Sequence, residues 1–264
     1  MTVVRKPAVA GQFYANDAAE LTTTVETLLS EVEEPGGIVP KPPKAIIAPH
    51  AGYIYSGPVA ASAYARLRPC RDRYSKVVLL GPCHRVPVEG MALSDAEVFR
   101  TPMGDVPIDR AATASLTAQG LAVSPLAHQY EHSLEVHLPF LQVVLDDFSL
   151  VPIVVGDATP DEVARALDCV WGGDETLIVV SSDLSHYLRY AEARAFDAET
   201  CDAIEHFDYR LIDHSHACGA TPVGGLLLAA RRQGLSVSTI DLRNSADTSG
   251  DRRVVVGYGS WVFS

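Results

Sequence analysis

The sequence predicts a single α/β domain with a central, mostly parallel or mixed sheet and helices on both faces. Three observations predict it. Short apolar runs such as KAIIAP (44–49), SKVVLLGP (75–82), SLVPIVVGD (149–157) and TLIVVSSD (176–183) read as buried strands. These runs alternate with helical patterns along most of the chain. No linker long enough to divide the 264 residues interrupts them, so the whole of 1–264 is expected to form one unit.

The elements follow in order. After an N-terminal arm, 17–34 reads as an amphipathic helix capped by Asp17. Breaker-rich PGGIVPKPP (35–43) is a loop, followed by the strand at 44–49. Residues 57–67 fit a helix with Pro58 in its first turn. The strand at 75–82 follows, then a helix at 109–120 that ends on glycine. EHSLEVHLPFLQVVL (131–145) is expected to be helical, disturbed at Pro139. The strand at 149–157 leads into 159–171, which opens on Thr-Pro-Asp-Glu, a strong helix start. Beyond the strand at 176–183, helices are expected near 191–206 and 222–233, and strands at 235–243 and 253–264.

Composition narrows the function classes. Apolar residues make up 47% and charged residues 20% of the chain, a globular composition. A formal net charge of −12 and a pI near 5.1 argue against nucleic-acid partners, which select basic stripes. No apolar stretch reaches the roughly 20 residues of a membrane helix, and the first residues lack the apolar core of a signal peptide. A cytoplasmic location is expected. The cysteines (70, 83, 169, 201 and 218) are odd in number and form no C-x-x-C pair, so neither a disulfide framework nor a zinc ribbon is expected. G-x-G-x-x-G, P-loop and G-x-S-x-G patterns are also absent.

Three buried strands end in the same chemistry. IIAPH ends at His50, VVLLGPCH at His84, and LIVVSSDLSH at Asp183 and His186. Ligands of open α/β sheets lie beyond the carboxyl ends of the strands, so these side chains share a pocket if the strands are neighbours. Imidazoles bind iron, copper and zinc and also carry protons near neutral pH. A lone histidine at a strand end is ordinarily a hydrogen-bonded loop residue, and the repetition of the pattern is what points to a metal. The third donor would be a carboxylate or a thiolate.

Two further segments offer candidates. His132 and His137 are five residues apart, about 140° on a helix, so they cannot chelate one ion together. His132, beside Glu131 at the helix start, is the one expected to face the pocket. Cys218 precedes Gly219 and a Pro-initiated helix, a place where the helix dipole favours a thiolate. Cys83 adjoins His84 and should point away from it. A Ser-His-Asp arrangement of Ser181 or Ser182, His186 and Asp183 can be drawn, but without the elbow motif it is not favoured.

The ordered motifs RKPAVAGQFY, APHAGYIYSG, LLGPCHR, EHSLEVHLPFL, SSDLSHY and CGATPVG make the chain resemble the Memo family. Its bacterial and archaeal members are known as AmmeMemoRadiSam system protein B, and it is related to class III extradiol dioxygenases of LigB-like fold. The resemblance implies His50, His84 and Cys218 as metal ligands, with iron the leading ion and copper the alternative. It makes Asp183 and His186 a supporting and acid/base pair and His132 another pocket histidine. Arg85, Ser185 and Ala220 depart from the animal relatives and alter the pocket lining. Two functions follow as expectations: a metal-dependent redox enzyme of unknown substrate, or a non-catalytic adaptor for a peptide or small anionic ligand. AMMECR-type and radical-SAM proteins are the implied pathway partners.

Overall fold

A computed structural model describes residues 2–32 and 41–264. In chain order its elements are β1 (Val4–Arg5), α1 (Ala18–Ser30), β2 (Ala45–Ala48), α2 (Tyr53–Tyr64), β3 (Lys76–Pro82), β4 (Met91–Leu93), β5 (Val98–Thr101), β6 (Gly104–Pro107), α3 (Arg110–Ala118), β7 (Ala122–Val123), α4 (Pro125–Gln129), α5 (Leu138–Val144), β8 (Ser149–Val155), α6 (Pro160–Val170), β9 (Thr176–Ser181), β10 (His186–Leu188), α7 (Tyr190–Glu205), α8 (Ala220–Arg232), β11 (Val237–Asn244), α9 (Ser245–Ser249) and β12 (Val255–Phe263). Of the expected loop at 35–43, residues 35–40 lie outside the described residues, as do positions 33 and 34 of the first expected helix.

The main sheet is mixed, in the order β10-β12-β2-β9-β3-β8-β4-β7, with β11 also paired to β12. Its centre, β2-β9-β3-β8, is parallel. Successive residues of these strands face opposite sides, as the two-residue period of a strand requires. Ile46, Val77, Leu79, Leu177 and Val179 join the core under α1, α2 and α5. Ala45, Ile47, Val78, Leu80, Ile178 and Val180 join the core under α3, α6 and α8. Burial on both faces is why these strands read as unbroken apolar runs. The α/β fold with helices on both faces is as expected. No helix among the described residues is long and apolar enough to cross a membrane.

Several starts and stops match local chemistry. Asp17 caps α1 through the backbone N–H groups of Ala19 and Glu20, and Thr159 and Glu162 form a capping box on α6. The expectation for 57–67 needs correction: α2 begins at Tyr53, so Pro58 sits inside the helix and leaves the Ile54 carbonyl without its usual i+4 donor. The segment 131–145 also differs. It is a loop through Leu134, one turn of 3-10 helix at Glu135–His137, and then α5, which Pro139 opens rather than disturbs. A small second sheet, β1-β5-β6, was not expected, because strands of two to four residues carry no readable periodicity.

Register places the candidate residues. Ala48 lies opposite Ser181, and Leu80 opposite Val180, so β2, β9 and β3 end nearly level with β9 in the middle. The segments carrying His50, Asp183 and His84 therefore leave the sheet side by side.

Candidate metal centre

Beyond that edge the imidazoles of His50, His84 and His132 converge. Each offers one ring nitrogen, and these donor atoms all lie within 4.8 Å of one another. Ring centroids are 5.2 Å apart for His50–His84, 5.5 Å for His50–His132 and 4.8 Å for His84–His132. His50 is buried, and its backbone N–H donates to Asp183 Oδ1 at 2.7 Å. Burial pushes its imidazole well below the ordinary range, and His84 and His132 push the same way, so it is neutral at pH 7. Burial lowers His132 likewise.

Glu131 organises the other two histidines. Its carboxylate accepts from His84 N at 2.5 Å, His84 Nδ1 at 2.9 Å, His132 N at 2.9 Å and Ser133 N at 3.0 Å. A carboxylate only accepts, so His84 donates its Nδ1–H to Glu131, and in the neutral ring that leaves Nε2 as the bare nitrogen. Burial alone would raise the Glu131 carboxyl, but the His84 bond and charge and the backbone donors outweigh it and hold it at about 2. Its charge therefore stabilises the fold above its unperturbed value of 4.5, and that stabilisation is lost as pH falls towards 2. Glu131→Gln is expected to lower stability at pH 7 by on the order of 3 kcal/mol. Urea unfolding should show the gap from wild type closing in acid, and a constant gap would contradict the assignment.

The loop bearing Glu131 and His132 reaches the strand ends because β3 carries glycine at its edge. A Cβ on Gly81 would lie 2.8 Å from Ser133 Oγ and 2.9 Å from Leu134 Cδ2. The N-terminal arm holds the loop from outside. Arg5 donates to the carbonyls of His128 and Glu131 and pairs with Glu135, which also accepts from the Ala8 and Val9 N–H groups and the Tyr14 hydroxyl.

Cys218 stands beside this group. Its Sγ is 3.4 Å from His50 Nε2 and accepts from Asp183 N at 3.3 Å, but it is outside the set of donors that lie mutually within 4.8 Å. Gly219 allows this approach, since a Cβ there would meet Ser181 O at 2.6 Å and Ser182 Cβ at 2.7 Å. The expected dipole effect on the thiol is overridden: burial and the Asp183 carboxyl push it far up, so without a metal it keeps its proton. Burial also raises Asp183.

His186 is exposed and bonds Leu184 O through Nδ1 at 2.7 Å. Ser181 bonds His50 and His137, not His186, so the drawn Ser-His-Asp arrangement does not form through it. Cys83 turns from His84 towards the Val86 carbonyl, as adjacent residues at a strand end should. All five cysteines are free. Sequence reasoning placed Glu131 beside the pocket without its carboxylate role, and it missed Ser181 as the partner of His50 and His137 as a second partner of that hydroxyl. No local signal marks contacts that span 44 and 131 positions.

Whether these residues suit a metal can be judged from the donors themselves. His132 Nδ1 lies 3.3 Å from Glu131 Oε1, which already accepts three N–H groups, and it is buried with no hydrogen-bond partner. A buried, unsatisfied ring nitrogen facing two further imidazoles fits a cation.

Residues 5–262 match the family described as Memo-like protein. MEMO1 family proteins of Aeropyrum pernix and Methanosarcina acetivorans are each 37% identical across 97% of this chain and 98% of their own length. That of Aquifex aeolicus is 36% identical across 98% of this chain and 99% of its own. The crystal structure of an uncharacterized Escherichia coli protein superposes with a TM-score of 0.57 over 82% of this chain and 98% of its own. At 12% identity this likeness is one of fold.

Proposed function

The chain belongs to the Memo-like family, and on that premise we propose that it is a metal-binding protein acting as a non-haem redox enzyme. The observation that supports this most is the set of three imidazole donors from separate segments within 4.8 Å. His50, His84 and His132 would hold the ion, with Cys218 beside His50 as a softer additional donor. Iron is the leading ion by the family resemblance, and copper is the alternative, since imidazole suits both and the neighbouring thiol is a softer donor. When bound, such an ion supplies one-electron chemistry and open positions for substrate.

The chain's own groups do the rest. Glu131 orients the His84 imidazole and keeps its Nε2 bare. Asp183 holds the His50 backbone through its N–H. His186 donates Nδ1–H to Leu184 O, which leaves Nε2 as the ring atom proposed for acid/base work. AMMECR-type and radical-SAM proteins are the proposed partners in a shared pathway. Metal analysis of anaerobically purified protein, with oxygen uptake on candidate substrates, tests the proposal. Stoichiometric iron or copper is expected, and protein that binds neither would end it.

Arg85 favours a second reading, a non-catalytic binder of a peptide or small anionic ligand. It is exposed, adjoins His84 and acts electrostatically on His132. Binding of an anionic peptide that survives chelation and is lost in Arg85→Ala would establish that reading instead.

A further inference from the structure

The Ser181 hydroxyl makes three contacts: Ser133 O at 2.5 Å, His50 Nδ1 at 2.6 Å and His137 Nε2 at 2.8 Å. A hydroxyl has one proton and two lone pairs. A carbonyl oxygen can only accept, so the single proton goes to Ser133 O. Both imidazole nitrogens must then carry hydrogen and donate to Ser181. The consequence can be checked at the far side of His137. With its proton on Nε2, Nδ1 is a bare acceptor, and the Tyr64 hydroxyl lies 2.8 Å from it, placed to donate. Burial keeps that phenol protonated and the His137 ring neutral, with His137 held at about 3. All four groups are buried.

We infer that Ser181 is a positioning residue that locks His50 into the Nδ1–H tautomer, so that the bare Nε2 faces the pocket. Ser181 does for His50 what Glu131 does for His84, using a hydroxyl saturated by a carbonyl instead of a charge. The lock exists before any ion arrives, because each of its bonds lies within the chain. Each of these two rings thereby has its proton placed on Nδ1 by the chain itself, and neither must change tautomer to offer Nε2 to an ion. The consequence for metal affinity rests on the reading of the pocket as a metal centre, but the tautomer itself does not.

Long-range nitrogen–proton NMR of the metal-free protein, with labelled histidine, reads the tautomer directly. The expected result is a protonated Nδ1 and an unprotonated Nε2 on His50, and the opposite pattern on His137. In Ser181→Ala the His50 signals should shift towards a mixture, and zinc or cobalt(II) should bind roughly 10–100-fold more weakly than to wild type. A wild-type His50 with its proton on Nε2 would overturn the inference, whether or not the variant folds. So would a folded Ser181→Ala protein with an unchanged His50 tautomer, whereas a shifted tautomer with unchanged zinc affinity would refute only the consequence for metal binding. A wild-type protein that shows the expected tautomers but binds no metal would refute the metal centre and leave the lock standing.

Discussion

Alanine at both His50 and His84 is expected to abolish stoichiometric metal binding. Two of three converging donors would be gone. The loss should exceed the roughly 10–100-fold that removing a residue supporting a metal ligand costs. Both side chains sit beyond the strand ends, so circular dichroism should still report the fold. Two single variants separate the roles of the outer donors. His132→Ala should lose metal, because its imidazole completes the group within 4.8 Å. Cys218→Ala should keep metal at reduced affinity, since its sulfur contacts one member, His50, at 3.4 Å. A doubly substituted protein that retains its metal would remove this pocket from consideration. Equal affinity with and without Cys218 would place the thiol outside the ligand set.

The second large effect concerns stability. Arg5→Met is expected to cost about 3–5 kcal/mol, because it strands the Glu135 carboxylate in the interior without its cation. The two side chains are 5% and 0% exposed. Glu135 would keep the Ala8 and Val9 N–H groups and the Tyr14 hydroxyl, which accommodate a charge but do not neutralise it. Urea unfolding at neutral pH measures the cost. Adding Glu135→Gln should recover part of it, so the double variant should be more stable than the two single losses predict. Metal affinity should fall in Arg5→Met as well, since the same guanidinium holds the carbonyls on either side of the turn that leads to His132. A cost below about 1 kcal/mol, the range of an exposed pair, would show that this contact does not anchor the arm.

Much of the fold was legible because its signals are local. An unbroken apolar run such as 177–180 is satisfied by burial on both faces, and Thr159-Pro160-Asp161-Glu162 meets the needs of a helix start with its own side chains. What was misread involved tertiary demands. α2 starts four residues before Gly57 and carries Pro58 inside it. Residues 131–134 stay irregular because the Glu131 carboxylate is occupied by donors from His84 and from its own loop.

The site divides in the same way. By itself the sequence determined that His50, His84 and Asp183 end buried strands, because strand ends are marked by where apolar runs stop. The order β2-β9-β3, and with it the meeting of those ends, came only from the tertiary structure. So did the choice of His132 to complete the compact group, the seating of Cys218 against His50, and the hydrogen-bond partners that set each imidazole's proton. The reason is physical: a strand's apolar pattern reports burial but not which neighbour buries it, and a side chain's proton is placed by atoms that the chain brings together from far apart.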